Sequence, residues 1–291
     1  MLYFGYGSNL NAEDWEGFCR RRGFAGAEMR AVGTALLLDR ELVFDRHSAA
    51  RFGGALNLRE RPGQAVEGVL FTVNEEALAA LDRKEGAPHA YRRTPVHAIR
   101  PDGSVVEAMT YIAPAERHTP PHEDYVEVVR MGQLDHGLDP GQMEAAAAGE
   151  TPALLIPWMF VYGTLREHQP NAHLLDGLPF RPASVPGLLF DNGPYPKMTL
   201  GEGRVRGEVV PLDPARLAAL DALEAALPFG APGGAYRRTV LPAVLDDGTA
   251  TRVQLYVVED VTGLPAIASG DWLSVGDRRD AWARHRATGG A

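Results

Sequence analysis

The chain has 291 residues, 45% hydrophobic and 23% charged, a composition that excludes disorder and suits two domains better than one. Its formal net charge of −9 excludes a nucleic-acid backbone as partner, since phosphate binding needs a basic surface. An anionic substrate would have to meet local donors, such as backbone N–H groups or single arginines.

The N-terminus has no basic stretch leading an apolar one, so no signal peptide is expected. Leu2 to Tyr6 reads as a buried strand, with Gly5 and Gly7 allowing a sharp turn at its end. Asn11, followed by Glu13 and Asp14, is a helix start, and the arginines Arg20 to Arg22 suit its far end. Cys19, the single cysteine, reads as an apolar filler on that helix; no intramolecular disulfide can form, which fits a reducing compartment. Asn74-Glu75-Glu76 starts a second helix, with Leu78 and Leu81 at i, i+3 and Glu85-Gly86 at its end. Beyond Tyr91, alternating segments broken at Asp102-Gly103 predict a hairpin.

His118 and His122 flank two prolines, which breaks the i, i+4 geometry that would pair them on a metal, so no metal site is expected. Asp139 to Pro157 carries an alanine run between glycines and prolines and reads as a linker. The apolar stretch Ala153 to Tyr162 contains Pro157 and falls short of the ~20 residues of a membrane helix. A cytoplasmic protein without a membrane partner is expected. In the second half, Asp213-Pro214 starts a helix bearing Leu217 and Leu220, and Asp247-Gly248 marks another hairpin.

These elements recur because the chain is a duplication. Leu78-Ala79-Ala80-Leu81-Asp82 is repeated as Leu217-Ala218-Ala219-Leu220-Asp221, an offset of 217 − 78 = 139 that Glu85 and Glu224 keep. Val66-Glu67-Gly68-Val69-Leu70 parallels Val205-Arg206-Gly207-Glu208-Val209. Tyr91-Arg92-Arg93-Thr94 returns as Tyr236-Arg237-Arg238-Thr239 at 236 − 91 = 145, so six residues are inserted between Leu227 and Gly234. The openings also match, Tyr6-Gly7-Ser8 with Tyr162-Gly163-Thr164. The expected layout is a domain over 1–140, a linker over 141–156 and a domain over 157–291. Strands outnumber helices in each half, so each is read as a small barrel-like α+β domain.

Glu85 and Glu224 are the residues most suggestive of chemistry. Each closes a helix, where the dipole disfavours a carboxylate by about 0.3–1 kcal/mol. Its recurrence there suits a general base of raised pKa, while shared descent of a solvated surface glutamate accounts for it equally well. The turn after the first strand offers backbone N–H groups to a carboxylate or oxyanion, although many glycine-rich turns are only turns. Leu10 stands where a dinucleotide fingerprint needs glycine, and Ser8 lacks the flanking glycines of a nucleophile elbow.

The first half resembles the γ-glutamylcyclotransferases over nearly its full length. Tyr3-Phe4-Gly5-Tyr6-Gly7-Ser8-Asn9-Leu10 is similar to their signature loop, and Asp82-Arg83-Lys84-Glu85-Gly86 to their catalytic-glutamate segment. Tyr91, Thr110-Tyr111-Ile112, Tyr125 and Met131 to Leu138 match in order. The second half resembles the AIG2-like, γ-glutamylamine cyclotransferase branch through Tyr162-Gly163-Thr164-Leu165-Arg166, Asn171, Gly193-Pro194-Tyr195-Pro196, Leu220 to Glu224, Tyr236-Arg237-Arg238 and Ser269 to Trp272. It departs at Ala225, where the family usually has glycine, and in the longer following loop.

The resemblance implies a mixed β-barrel with flanking helices and no cofactor, and a lyase or acyltransferase reaction. The α-amine of a small γ-glutamyl substrate would attack its own γ-carbonyl, giving 5-oxoproline and a free amine. Glu85, and Glu224 in the second half, would move the protons. Backbone N–H groups of Gly7 to Leu10 would hold an anionic part of the substrate, with Gly163, Thr164 and Leu165 as counterparts. Tyr6, Tyr91 and Tyr125, and in the second half Tyr162 and Tyr236, are pocket walls, with Tyr91 favoured beside Glu85. Glutathione, γ-glutamyl amino acids, γ-glutamyl amines and secondary-metabolite intermediates all suit this chemistry, and the sequence does not set an oligomeric state. The competing readings are a small-ligand-binding module that keeps the fold without turnover, and an amidase using Ser8.

Overall fold

The computed structural model describes residues 1–226 and 236–276, together with Trp282, Ala283 and Ala287. The insertion expected between Leu227 and Gly234 lies outside the described residues. The chain divides into two compact units, 1–100 with 105–155, and 101–104 with 156–291.

The first unit contains β1 (Leu2–Gly5), α1 (Ala12–Arg22), β2 (Met29–Ser48), β3 (Gly53–Val73), α2 (Glu75–Glu85), β4 (Arg92–Ile99), β5 (Val105–Ile112), α3 (Glu123–Asp135) and α4 (Gly141–Ala147). Its strands close into a barrel in the order β1-β3-β2-β4-β5. β1 joins β5 in parallel, Tyr3 opposite Met109, and the other pairings are antiparallel. β2 and β3 bend through register shifts at Ala31/Gly33, Leu38/Arg40 and Phe44/Arg46, which lets two long strands both close the barrel and extend beyond it.

The period of two along the strands sorts the core into two layers. On β3, Val66 and Leu70 face the interior with Phe4, while Val69, Phe71 and Val73 face the layer under α1 and α2 with Tyr3. From the helices, Trp15, Ala77, Ala80 and Leu81 complete that second layer. Burying a side chain of the size of Leu81 is worth about 1.5–3 kcal/mol, so α2 is anchored chiefly by packing. Leu78, read as half of its apolar stripe, is only partly buried. Gly68 is required because a Cβ there would run into Gly5 O and the Phe4 ring.

The stretch expected as a linker is structured up to 155. In α4, Met143 and Ala146 are buried in the first barrel's core, and residues through 155 cluster with the first unit. Methionine at 143 supplied an apolar anchor that the alanine run obscured.

The second unit contains β6 (Trp158–Val161), β7 (Arg181–Asp191), β8 (Pro196–Pro211), α5 (Pro214–Leu223), β9 (Arg237–Leu245) and β10 (Ala250–Val257). They close in the order β10-β6-β8-β7-β9, the same cyclic order as the first barrel. β6 again joins β10 in parallel, Met159 opposite Gln254. Gly207 repeats the close approach of Gly68, here against Val161 O and the Phe160 ring.

Candidate active site

Each expected glutamate is delivered to its barrel by a helix fixed at both ends. In α2, the Asn74 side chain caps the start by accepting from Ala77 N at 2.8 Å. At the other end Asp82 Oδ1 accepts from Tyr111 Oη of β5 and from Arg93 Nε of β4, both at 2.7 Å. Glu85 lies three residues on, and Gly86 then turns the chain at φ 64°. In α5, Asp213 caps the start, and Asp221 Oδ1 accepts from Tyr256 Oη at 2.6 Å and pairs with Arg238 Nε at 2.9 Å. Glu224 follows three residues on. Ala225 takes the turn at φ 44°, so the residue that departs from the glycine pattern keeps the left-handed turn.

Around Glu85 lies a cavity of about 220 Å³ lined by Tyr6, Gly7, Ser8, Asn9, Tyr91 and Tyr125, so these expected site residues are brought together. Leu10 is not among them. Its N–H is spent on Gly7 O at 3.0 Å and its side chain is buried in the core under the helices, so of the four residues expected to offer N–H groups only Gly7, Ser8 and Asn9 line the cavity. Tyr6 Oη donates to Tyr111 O at 2.7 Å and Tyr91 Oη to Leu56 O at 2.9 Å. Tyr125 Oη accepts from Leu56 N at 3.4 Å. Tyr91 shares the pocket with Glu85, and the hydrogen bond to the carboxylate comes from Asn9, whose Nδ2 donates to Glu85 Oε1 at 2.7 Å.

Several groups in this pocket were not legible as site residues. Lys84 Nζ donates to Asn9 Oδ1 and to Asp14 Oδ2, each at 2.7 Å. Arg51, carried in the turn between β2 and β3, pairs with Asp14 at 2.7 Å and lies 5.1 Å from the Tyr125 ring centre. Arg46 and His47 also line the pocket. A lysine beside a helix-terminal glutamate and an arginine in a hairpin turn look like surface charges in sequence. Their burial depends on α1 and the hairpin folding over them.

Burial raises the Glu85 carboxyl above its ordinary value, and Lys84, the Asn9 hydrogen bond and Arg51 oppose that rise. Burial holds the Tyr3, Tyr6 and Tyr91 hydroxyls well above the phenolic range and pushes Tyr125 up to about 12. These phenols are therefore neutral donors at physiological pH, unsuited to act as bases.

The second cavity, about 270 Å³, is lined by Tyr162, Gly163, Thr164, Leu165, Glu224 and Tyr236, together with Asn171, Tyr195, Pro196 and Tyr256. Tyr162 Oη donates to Tyr256 O at 2.9 Å and Tyr236 Oη to Pro196 O at 3.2 Å, repeating the first site's frame. Asn171 Nδ2 donates to Thr164 Oγ1 at 3.1 Å and holds the loop. Among the described residues the charged part of the first site has no counterpart. Leu165 stands in the place of Asn9 and Leu223 in that of Lys84, and among the described residues nothing donates to Glu224. Burial, with Asp221 adding to it, pushes the Glu224 carboxyl up to about 7.

Among the described residues no group of three His, Cys, Asp or Glu side chains is placed to hold a metal, and no histidine is hydrogen-bonded to Ser8 Oγ. No helix among them is long and apolar enough to cross a membrane.

Comparison with known proteins agrees with this architecture. The family model described as gamma-glutamyl cyclotransferase, AIG2-like, matches residues 3–127 and 159–274. The gamma-glutamylcyclotransferase family protein YtfP of Escherichia coli K12 is 38% identical over 118 residues, covering 40% of this chain and 95% of its own length. The gamma-glutamylcyclotransferase of Bos taurus is 30% identical over 143 residues, covering 47% of this chain and 72% of its own. A solved gamma-glutamyl cyclotransferase structure, 26% identical, covers 53% of this chain and 89% of that one at a TM-score of 0.44. With two closed mixed barrels and a match in each half, the chain belongs to the gamma-glutamyl cyclotransferase, AIG2-like family.

Proposed function

We propose that this chain cyclises γ-glutamyl compounds to 5-oxoproline and a free amine, with Glu85 as general acid and base. The observation that carries the reading is the Glu85 carboxylate in a small pocket, one oxygen held by Asn9, with Gly7, Ser8 and Asn9 of the turn beyond the β1 ladder lining the same pocket. Family membership supports the reaction class; the group on the γ-carbonyl is left to the assay.

The substrate already contains its nucleophile, so the protein has to hold a folded conformer and move protons. Glu85 accepts a proton from the α-ammonium, and the freed amine attacks the γ-carbonyl carbon. A five-membered ring with a tetrahedral oxyanion forms, met by the N–H groups of Gly7, Ser8 and Asn9. Glu85 returns that proton to the departing nitrogen as its bond to carbon breaks, then takes the second proton from the ring nitrogen and passes it to the freed amine, which leaves as an ammonium. No water is consumed, and the carboxylate is regenerated.

Glu224 supports the same chemistry in the second barrel, with a carboxyl near neutrality that suits acid and base roles alike. The test is incubation of wild type, Glu85→Gln and Glu224→Gln with γ-glutamyl amino acids and γ-glutamyl amines, following 5-oxoproline by mass spectrometry. Loss of product in either variant assigns that barrel. Free glutamate as product would make the protein a hydrolase, and no turnover across the panel by folded wild type would make it a binding module.

A further inference from the structure

Glu85 and Glu224 occupy equivalent positions in one fold, so each pocket is a control for the other. The difference between them is a chain of side chains present only in the first. Lys84 is 8% exposed at its side chain and donates to both Asn9 Oδ1 and Asp14 Oδ2. Asn9 Nδ2 donates onward to Glu85 Oε1, and is 2.9 Å from Tyr3 Oη.

The orientation of the Asn9 amide follows from donor and acceptor inventories. An ammonium has three donors and no acceptor, and a carboxylate has only acceptors. With Lys84 on one side and Glu85 on the other, the amide oxygen must face the lysine and the amide nitrogen the glutamate. A flipped amide would set N–H against ammonium and oxygen against carboxylate. A buried ammonium is costly, and replacing a buried ion pair as a whole by apolar residues is often neutral or stabilising. The second barrel has leucine at both corresponding places, Leu165 and Leu223, so the fold does not require the charge.

The geometry assigns Lys84 as a positioning residue: set between Asn9 and Asp14, it locks the Asn9 amide to hold Glu85 Oε1, leaving the other carboxylate oxygen for proton transfer. Asp14 in turn is fixed by Arg51, so α1, α2 and the β2–β3 turn share one network. The inference rests on the reading of Glu85 as the acid–base group. Among the described residues no donor is paired with Glu85 Oε2, consistent with that division of roles.

The charged groups acting on Glu85 are Lys84 from α2, Arg51 from the turn and Asp14 from α1. Tyr3 and Tyr6 from the β1 end, Tyr91, and Tyr125 from α3 face it as neutral hydroxyls, and Arg46, His47 and Arg83 share the pocket. Lys84 is the largest influence keeping the buried carboxyl from rising further. Its removal is therefore read in the pH dependence, which a residue important only for packing would not move.

The experiment uses full-length protein labelled with carbon-13 at glutamate Cδ, with the Glu85 resonance assigned by its loss in Glu85→Gln. Titrations are run on wild type, Lys84→Met and Lys84→Arg, beside pH profiles of kcat/KM on a γ-glutamyl amino acid. Lys84→Met is expected to move both the Glu85 titration and the acid limb to higher pH. That costs about tenfold in kcat/KM on the acid limb, the scale expected for an opposite charge at this range, and the loss is regained in alkali. Lys84→Arg should restore most of it. A folded Lys84→Met in which Glu85 titrates as in wild type overturns the assignment, whatever the activity. A moved titration without turnover in any protein upholds the assignment and sinks the cyclisation reading instead. Should Lys84→Met fail to fold, Leu165→Asn/Leu223→Lys installs the pair beside Glu224. Its titration, about 7 in wild type, must then fall, and an unmoved value overturns the assignment.

Discussion

Replacing Glu224 by glutamine tests the electrostatics of the second pocket without need of a substrate. Burial and Asp221 push this carboxyl to about 7, against an ordinary 4.5, and no donor among the described residues compensates. At about 1.4 kcal/mol per decade, that gap corresponds to roughly 3 kcal/mol, an upper figure because the group faces an open pocket. Between pH 4.5 and 7 the folded chain retains a proton that the unfolded chain has released. Stability from the protonated form is complete below pH 4.5 and is lost as pH rises through about 7. Glutamine keeps the shape and cannot ionise. The variant should therefore be more stable than wild type at pH 8 by about 1–3 kcal/mol, with the difference shrinking by about 1–2 kcal/mol at pH 5.

Tryptophan emission during urea or thermal unfolding is the assay. Trp158, Trp272 and Trp282 lie in the second unit and only Trp15 in the first, so the signal reports mainly on the domain in question. A domain of this size gains roughly 3 °C in Tm per kcal/mol. A stability difference that stays constant from pH 5 to pH 8 would show that Glu224 ionises freely in the folded protein, and would refute the burial argument.

In the Glu224→Gln background, Glu85→Gln should lower 5-oxoproline formation by about 10²–10⁴-fold in protein whose circular dichroism shows it folded; an unaltered kcat/KM removes Glu85 from the mechanism. Gly86→Ala should cost about 1 kcal/mol in urea unfolding, since φ is 64° and the new Cβ would lie 3.1 Å from Ala90 Cβ. Ala225→Gly, at φ 44°, should instead raise stability by up to about 1 kcal/mol, and a loss would mean the turn is unstrained. Gly68→Ala should cost more than about 3 kcal/mol, because its Cβ meets the Gly5 carbonyl and the Phe4 ring, and yield with circular dichroism will show it. Wild-type stability in that variant would mean β1 can shift away.

The frame was legible where local rules decide it. Asn11, Asn74 and Asp213 announce helix starts through the hydrogen bonds they make, and Asp102-Gly103 and Asp247-Gly248 turn the β4–β5 and β9–β10 hairpins. The repeat then converts a weak prediction in either half into a strong one. What stayed hidden depends on contacts distant in sequence. Asp82 and Asp221 were visible as repeated letters, but their role needs Tyr111 and Tyr256 brought in by β5 and β10. Leu10 was misread as an anion donor because a turn's outer and spent N–H groups look alike in sequence. Arg51 gave no signal at all, since its position over Tyr125 is set by a hairpin closing on α1 and α3.

The two barrels separate scaffold from tuning. Three tyrosine hydroxyl bonds recur in each: to a β-strand carbonyl from Tyr6 and Tyr162, to the helical aspartate from Tyr111 and Tyr256, and across the mouth from Tyr91 and Tyr236. The aspartate bonds tie the glutamate-bearing helix to the strands, and the other two join turn and strand backbone. On the charge itself the barrels differ: Lys84, Asn9 and Arg51 oppose the effect of burial on Glu85, whereas burial and Asp221 both raise Glu224. A carboxyl among leucines releases its proton near neutrality, and one among cations releases it more readily. If both sites turn over γ-glutamyl compounds, wild-type activity should show two acid limbs. The limb near pH 7 disappears in Glu224→Gln, and the other in Glu85→Gln. A single limb abolished by one substitution alone would assign all turnover to that barrel and leave the other as a folded, non-catalytic copy.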